Sequence, residues 1–203
     1  MKQQGICRII CAGERTPLGF VKADGDLTIA ADGGYDHALE AGIVPDILLG
    51  DLDSIEREPC EGAVRLDPVK DLTDTFAAVA TGLERGYRRF ELHCAGGGRL
   101  SHTLANIAVL RCLADKGAEG TMYFRGGRAH ICRGRAEVRG NVYFSLFPEK
   151  DAAEADISGA KYSGSFTFTD SDSLGVSNEP LENKTAVVTV RGGGLIMIEE
   201  IKD

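Results

Sequence analysis

Apolar and polar positions divide the chain into two parts with different patterns. In the first part, short runs rich in aliphatic and β-branched residues alternate with longer segments of helical composition. The predicted strands are ICRIICAG, LTIAADGG, PDILLGD, AVRLDP, RRFELHCAGGG and TMYFRGG, and the predicted helices are YDHALEAG, TDTFAAVATGLERG and RLSHTLANIAVLRCLADKG. Strands that alternate with helices predict right-handed βαβ units, and therefore a mostly parallel sheet with helices on both faces.

The pattern changes near residue 130, where β-type runs separated by Gly, Asn, Asp and Pro follow one another without a helical segment. These runs are HICRGRAEVRG, NVYFSLFPE, KYSGSFTFTD, TAVVTVRGG and GLIMIEEI. They predict a small antiparallel β-sandwich. We therefore expect an α/β domain over residues 1–128 and a β-sandwich domain over residues 129–203.

Composition limits the kind of partner. The chain has 203 residues, of which 43% are hydrophobic, enough to build a sizeable core. A net charge of -8 argues against binding to nucleic acid or to an anionic membrane surface, because both favour basic proteins. A small-molecule partner is therefore favoured, and an anionic nucleotide remains possible if a metal ion bridges its phosphates to carboxylates.

Two further features of the sequence bear on location and on metals. The apolar run near the N-terminus is too short for a membrane span and lacks a signal-cleavage pattern, which predicts a cytoplasmic protein. The six cysteines show neither a CxxC motif nor a Cys/His pair at zinc-ligand spacing, so most are interpreted as small buried apolar residues.

The stretch LLGDLDSI places two aspartates, Asp51 and Asp53, directly after the third predicted strand. In extended backbone these carboxylates point to the same side, and their repulsion is relieved if they bind a divalent cation such as magnesium. A second interpretation is that Asp53 or Ser54 caps a following helix. This segment alone leaves both interpretations open.

Other polar loops follow neighbouring strands, at the edge of a parallel sheet where ligands usually bind. They are residues 31–34, 70–74 and 96–99, which contain Asp32, Lys70, Asp71, Thr73, Asp74 and Arg99. A Gly-rich loop that leads into a helix lets backbone N–H groups approach a phosphate, and Arg99 adds a guanidinium. His102 and Asn106 lie on one side of that helix; His102 is interpreted either as a ligand contact or as a structural histidine.

The motifs ADGGYDHALEAGIVPDILLGDLDSI, KDLTDTFAAVATGLERG, GGGRLSHTLANI, GAKY and GVSNE, in this order, resemble those of the thiamine pyrophosphokinase family. The resemblance covers nearly the whole chain. It implies an N-terminal α/β domain that binds ATP and metal, a C-terminal β-sandwich that binds thiamine, and a homodimer with active sites at the subunit interface. It also implies Mg²⁺-dependent transfer of a pyrophosphoryl group from ATP to the thiamine hydroxyl, which yields thiamine diphosphate and AMP.

The resemblance also implies roles for single residues. The acids Asp51, Asp53 and Asp74 match positions associated with magnesium and the ATP phosphates, and either Asp71 or Asp74 is the candidate group that orients or accepts the hydroxyl proton. The surrounding nucleotide-binding positions are Asp32, Lys70, Thr73 and Arg99, to which the helix adds His102 and Asn106. The positions associated with thiamine are Tyr162, Ser177 and Asn178.

Ser101 departs from the family pattern, because it occupies a position that usually carries an acid. This departure leaves open a thiamine-binding protein with impaired catalysis. Separately, the acid-x-acid pair of Asp51 and Asp53 leaves open a metal-dependent transferase that uses a nucleotide sugar. A phosphatase of the haloacid dehalogenase type is disfavoured, because its nucleophilic acid follows the first strand whereas this pair follows the third.

Overall fold

A computed structural model of the chain describes residues 5–50, 64–66 and 72–202, with the backbone alone for residues 64–66. The chain divides into two compact units, Met1–Arg125 and Gly126–Asp203. Strands and helices alternate in the first unit, and strands follow one another in the second. The predicted fold class is therefore confirmed. The assignment of ATP binding to one part and thiamine binding to the other stays a prediction.

The first unit contains a parallel sheet. Its strands are β1 (Cys7–Ile10), β2 (Leu27–Ala31), β3 (Ile47–Leu49), β4 (Val64–Leu66), β5 (Arg89–His93) and β6 (Glu119–Phe124), and its helices are α1 (Gly34–Glu40), α2 (Asp74–Glu84) and α3 (Leu100–Asp115). The strands lie in the order β4-β3-β2-β1-β5-β6, and each pair of neighbours is parallel. Each strand therefore ends at the same edge of the sheet.

Helices of the first unit pack on both faces of this sheet. Tyr35 of α1 is fully buried against Ala30 and Leu48. On α3, Leu113 faces Gly120 of β6, where an added Cβ would lie 2.6 Å from the Leu113 side chain. The strand registers place Ala30 and Gly120 on opposite faces, because Gly120 is level with Leu27, three residues before Ala30.

The second unit is a sandwich of two antiparallel layers. Its strands are β7 (Gly127–Cys132), β8 (Arg135–Val138), β9 (Val142–Pro148), β10 (Ala152–Ser158), β11 (Gly164–Thr169), β12 (Ala186–Gly192) and β13 (Leu195–Ile201). One layer has the order β7-β13-β9 and the other β11-β10-β12-β8. Both layers contribute buried side chains to one core, among them Phe144, Met197, Phe168 and Val188.

The sequence patterns missed strand β10, which lies between β11 and β12. Its sequence, AAEADIS, contains one β-branched residue and is otherwise unlike a typical strand. Ala153, Ala155 and Ile157 are nevertheless buried in alternation, and both edges of the strand are paired. Tertiary pairing therefore overrides a weak local preference.

A group of charged side chains lies near the amino-terminal end of β1, away from the carboxyl edge of the parallel sheet. The Arg8 guanidinium donates to Glu91 Oε2 at 2.8 Å and also pairs with Asp26. The carboxylate of Asp26 further accepts the backbone N–H groups of Ile6 and Ala23. Burial opposes the charge of Asp26, but these hydrogen bonds and Arg8 outweigh it and lower the pKa of this carboxyl.

We expect the thermal stability of the protein to decrease as the pH falls below about 4. The pKa of Glu91 is lowered by its hydrogen bond with His93 and by Arg8, and that of Asp26 is lowered as described above. A carboxyl with a lower pKa in the folded state stabilises the fold above its unfolded pKa and loses this contribution as the pH falls through its folded pKa. Calorimetry of the wild type and Asp26→Asn between pH 7 and 3 checks this, and equal pH dependence in the two proteins would contradict it.

Candidate functional site

A cavity of about 500 Å³ opens at the carboxyl edge of the parallel sheet in the first unit. It is lined by the loops that follow β1, β2 and β5 and by the first turns of all three helices. Six residues predicted from the sequence lie on its wall: Asp32, Thr73, Asp74, Arg99, His102 and Asn106. The structure therefore brings together predicted residues that are up to 74 positions apart in the sequence.

Four other predicted residues, Asp51, Asp53, Lys70 and Asp71, lie outside the described residues, and their roles stay predictions. The described chain reaches Gly50, which packs closely on Asp32: a Cβ added at Gly50 would lie 3.1 Å from the Asp32 Cα atom. The ends of β2 and β3 thus meet at the wall of the cavity.

Asp32 is held in an unusual conformation at the end of β2. Its φ angle is +49°, in the left-handed region, and its backbone N–H donates to Leu49 O at 2.7 Å. Its Oδ1 atom is buried and has no hydrogen-bond partner among the described residues. A strained backbone and a buried acceptor oxygen both cost free energy, and such costs are typical of binding sites.

Helices α2 and α3 begin at the cavity. Thr73 is the N-cap of α2, where its Oγ1 accepts the N–H of Phe76 at 3.3 Å. Arg99 is the N-cap of α3, and its side chain makes no capping hydrogen bond. The preceding Gly97 and Gly98 have φ angles of +78° and +63°, which allow an exposed Gly-rich loop at this edge. The free N–H groups and the helix dipole favour an anion here.

Two of the predicted α3 residues differ in their surroundings. His102 is exposed at the cavity wall. Asn106 is buried, and its Nδ2 donates to Ala95 O at 2.7 Å. Asn106 therefore holds the start of the loop after β5 against α3, and this contact positions the Gly-rich segment that follows.

The sequence patterns missed the contribution of the loop after β1. Cys11 and Arg15 of this loop lie on the cavity wall. Arg15 forms a 2.9 Å ion pair with Glu40 and has an exposed side chain. The rule that ligands bind at the carboxyl ends of parallel strands would have identified this loop, had it been applied to the first strand.

His37 was also missed, since no partner for it is visible in the sequence. It lines the cavity, and its Nδ1 lies 3.1 Å from Cys11 O. A hydrogen bond with the Cys94 thiol raises the pKa of His37, although burial opposes this. Burial also opposes ionisation of Cys94, but the hydrogen bonds from His37 and Thr16 outweigh it, so that the pKa of Cys94 is lowered. The two shifts belong together, because the hydrogen bond between His37 and Cys94 favours a protonated imidazole beside a thiolate, a pair without net charge.

The predicted thiamine residues lie in the second unit. Tyr162 is 57% exposed, and the exposed apolar side chains Leu174 and Val176 lie with it around a shallow depression. Ser177 is exposed, has a φ angle of +58°, and donates its N–H to Ser145 Oγ at 3.0 Å. A solvent-exposed aromatic ring among apolar neighbours is typical of a binding surface.

Residues 21–122, half of the chain, match the protein family described as thiamin pyrophosphokinase, catalytic domain. The chain belongs to this family. The matched segment includes every residue of the first unit that was predicted to act in binding or catalysis. No curated protein sequence matches the chain.

Solved structures of thiamine pyrophosphokinases have the same fold. The enzyme from Bacillus subtilis is 23% identical, with a TM-score of 0.87 over 98% of this chain and 100% of that one. The Geobacillus thermodenitrificans protein is 23% identical, with a TM-score of 0.84 over 98% of both chains. The Candida albicans protein is 14% identical, with a TM-score of 0.75 over 97% of this chain and 90% of that one.

The donor atoms of the cavity suit the magnesium ion that the family resemblance implies. The carboxylates of Asp32, Asp36 and Asp74 line it, and Mg²⁺ prefers such oxygen ligands. The buried Oδ1 of Asp32 is an acceptor of the right chemistry. Within the described residues, no three His, Cys, Asp or Glu side chains form a complete metal-binding group. The predicted ligands Asp51 and Asp53 lie outside the described residues, so their part in a magnesium site stays a prediction.

None of the helices within residues 5–50 and 72–202 has the length and apolarity needed to cross a membrane.

Proposed function

We propose that the protein is a thiamine pyrophosphokinase, which uses ATP and magnesium to convert thiamine to thiamine diphosphate and releases AMP. The observation that supports this most directly is the cavity of the first unit. Acidic side chains, helix N-termini and arginines surround one space there, as the binding of a metal-bound polyphosphate requires. The family match over residues 21–122 supports thiamine and ATP as the substrates.

The triphosphate is proposed to lie against the start of α3. Arg99 and the N–H groups of the Gly-rich loop bind phosphate oxygens, and Arg15 binds them from the loop after β1. Lys70, Thr73, His102 and Asn106 complete the nucleotide-binding set, of which Asn106 acts by holding Ala95. Asp51, Asp53 and Asp74 would hold the magnesium ion, and a bound ion would neutralise phosphate charge. Asp32 lines the same cavity as Asp74.

In the proposed reaction, the hydroxyl oxygen of thiamine attacks the β-phosphorus of ATP. A new O–P bond forms, the bond between the β-phosphorus and the α,β-bridging oxygen breaks, and AMP leaves with that oxygen. The hydroxyl proton passes to Asp71 or Asp74. Phosphoryl-type transfer depends mainly on positioning and charge neutralisation, so a cavity of fixed charges suits it.

Thiamine is proposed to bind at Tyr162 and Ser177, with Asn178 beside them. The Tyr162 ring presents an exposed face for stacking on the electron-poor rings of thiamine. We further propose a cytoplasmic homodimer with active sites at the subunit interface. Light scattering of the purified protein measures the oligomeric state directly.

The proposed function is tested by measuring AMP formed from ATP and Mg²⁺, with and without thiamine. Thiamine-dependent AMP, with an equal amount of thiamine diphosphate, is the expected result. An ordinary kinase would release ADP instead. Saturable thiamine binding without AMP would favour the alternative of a thiamine-binding protein with impaired catalysis, and transfer from a nucleotide sugar would favour the other alternative.

We expect Arg15→Ala to raise the KM for ATP by about tenfold and to leave the KM for thiamine unchanged, because one charge-assisted phosphate contact is lost. Stability should change little, since the ion pair of Arg15 with Glu40 is exposed. Steady-state kinetics with each substrate varied in turn check this. Glu40→Gln, which removes the same ion pair but keeps the arginine, is the matched control, and a similar loss in that variant would contradict the assignment.

A further inference from the structure

The loop that carries Tyr162 is tightly bound through its backbone. Tyr162 donates its N–H to Asn178 Oδ1 at 3.0 Å, and its carbonyl oxygen accepts from Asn178 Nδ2 at 2.9 Å. Lys161 N donates to Glu179 O, and Leu181 N donates to Gly159 O, each at 2.9 Å. Segments 159–162 and 178–181 therefore form a short ladder that fixes the position of the Tyr162 backbone.

Asn178 is the centre of this ladder. It is 5% exposed, and its backbone exchanges two hydrogen bonds with Phe144 of β9, at 2.8 and 2.9 Å. Its Oδ1 also accepts the N–H of Glu179 at 2.9 Å. Asn178 also lines the depression beside Tyr162, but both ends of its side-chain amide are occupied by backbone groups, and it ties the Tyr162 loop to the core of the sandwich.

The ring of Tyr162 is exposed to solvent, whereas its backbone is held by hydrogen bonds. It is 57% exposed, so it adds little to the core. The Lys161 ammonium lies 5.9 Å from the ring centroid and is paired with Glu179 at 2.8 Å. A large aromatic side chain that is exposed on a rigid backbone is suited to bind a flat ligand, because little conformational freedom is lost on binding.

We infer that Asn178 is a positioning residue, which acts on thiamine through Tyr162 rather than by contact with the vitamin. This inference rests on the proposed function, because it takes thiamine to be the ligand of Tyr162. Removing the amide frees the Tyr162 backbone and lowers the affinity for thiamine, while the cavity of the first unit keeps its affinity for ATP.

A double-mutant cycle tests the inference. In the wild-type background, Asn178→Ala is expected to raise the KM for thiamine about tenfold and to leave the KM for ATP unchanged. In the Tyr162→Ala background, the same substitution is expected to change the KM for thiamine less than about twofold, because residues that act as one unit are not additive. A tenfold effect that persists without Tyr162 would indicate direct contact and overturn the inference, as would an unchanged KM in Asn178→Ala.

Two controls separate positioning from loss of stability. Val188→Ala removes buried side-chain volume from the same sandwich at a residue that does not line the depression around Tyr162, and it should lower the melting temperature without raising the KM for thiamine. Asn178→Ser is used if Asn178→Ala does not fold. Hydrogen exchange of ligand-free protein should be faster around Tyr162 in the Asn178 variant, and unchanged protection there would overturn the inference.

Measurements on the wild type separate failure of the proposed function from failure of the role inferred for Asn178. If the wild type binds thiamine but forms no AMP, catalysis is refuted, and the same cycle is measured on the Kd for thiamine by calorimetry. If the wild type neither binds nor converts thiamine, both the proposed function and the role of Asn178 are wrong.

Discussion

Replacing any one of three acids, Asp32, Asp51 or Asp53, with asparagine is expected to lower the rate of thiamine-dependent AMP formation by about 100-fold or more. Asparagine keeps the size and one acceptor oxygen of aspartate but removes the charge. The metal and the phosphates require that charge. The fold should remain intact, because removal of a like charge from a cluster of acids reduces repulsion.

Of the three substitutions, Asp32→Asn separates an effect of charge from an effect on folding most clearly. Its φ angle of +49° is tolerated by asparagine better than by most other residues, so Asp32→Asn should add no backbone strain. Its buried Oδ1 makes no hydrogen bond with the described residues that the substitution would break. A change in activity therefore reports on charge at the cavity and not on folding.

Activity and melting temperature are measured together for these variants. Asp24→Asn, an exposed acid of the same unit that does not line the cavity, is the matched control. The control should retain wild-type activity. Near-normal turnover in Asp32→Asn would exclude this carboxylate from the site, and near-normal turnover in both Asp51→Asn and Asp53→Asn would refute the proposed metal ligands.

Gly34→Ala is expected to destabilise the protein by about 3 kcal/mol or more. Gly34 is the first residue of α1, and a Cβ at this position would lie 2.0 Å from Ile10 O and 3.0 Å from the carbonyl carbon of Cys11. These are backbone atoms of a buried strand and of the loop after it, so neither can move aside as a flexible side chain would. The start of α1 would have to move away from β1, which would also distort the cavity wall at Gly33.

Denaturant unfolding of the variant measures this effect. Gly19→Ala is the control, because an added Cβ at Gly19 meets no atom within 4 Å and its backbone is not left-handed. We expect the control to be as stable as the wild type or slightly more so. A Gly34→Ala protein of unchanged stability would show that α1 does not approach β1 as closely as described.

Local signals in the sequence were sufficient for most of the fold. Thr73 and Gly86 mark the limits of α2, since the first caps the helix and the second, with a φ angle of +90°, lies just beyond its end. Strand β10 carries no such signal. Its alanines and acids form a strand because β11 and β12 pair with it from both sides, and this tertiary effect has no local signature.

The candidate site could be predicted only where local motifs mark its residues. Charged and Gly-rich motifs pointed to Asp32, Asp74 and Arg99, which the structure places on one cavity. Arg15 and His37 lie in segments without a distinctive motif, and their relevance depends on which strand ends lie side by side. The positioning role inferred for Asn178 rests on two hydrogen bonds to a residue 16 positions away, which no sequence pattern specifies.

The exposed ring of Tyr162 has a spectroscopic consequence. The chain has five tyrosines and no tryptophan, so tyrosine dominates its ultraviolet fluorescence. Tyr35 is fully buried, whereas the Tyr162 ring meets solvent at the proposed thiamine surface. A molecule that stacks on this ring would change a tyrosine emission that no tryptophan masks, so the emission of the unlabelled protein would report binding at this surface.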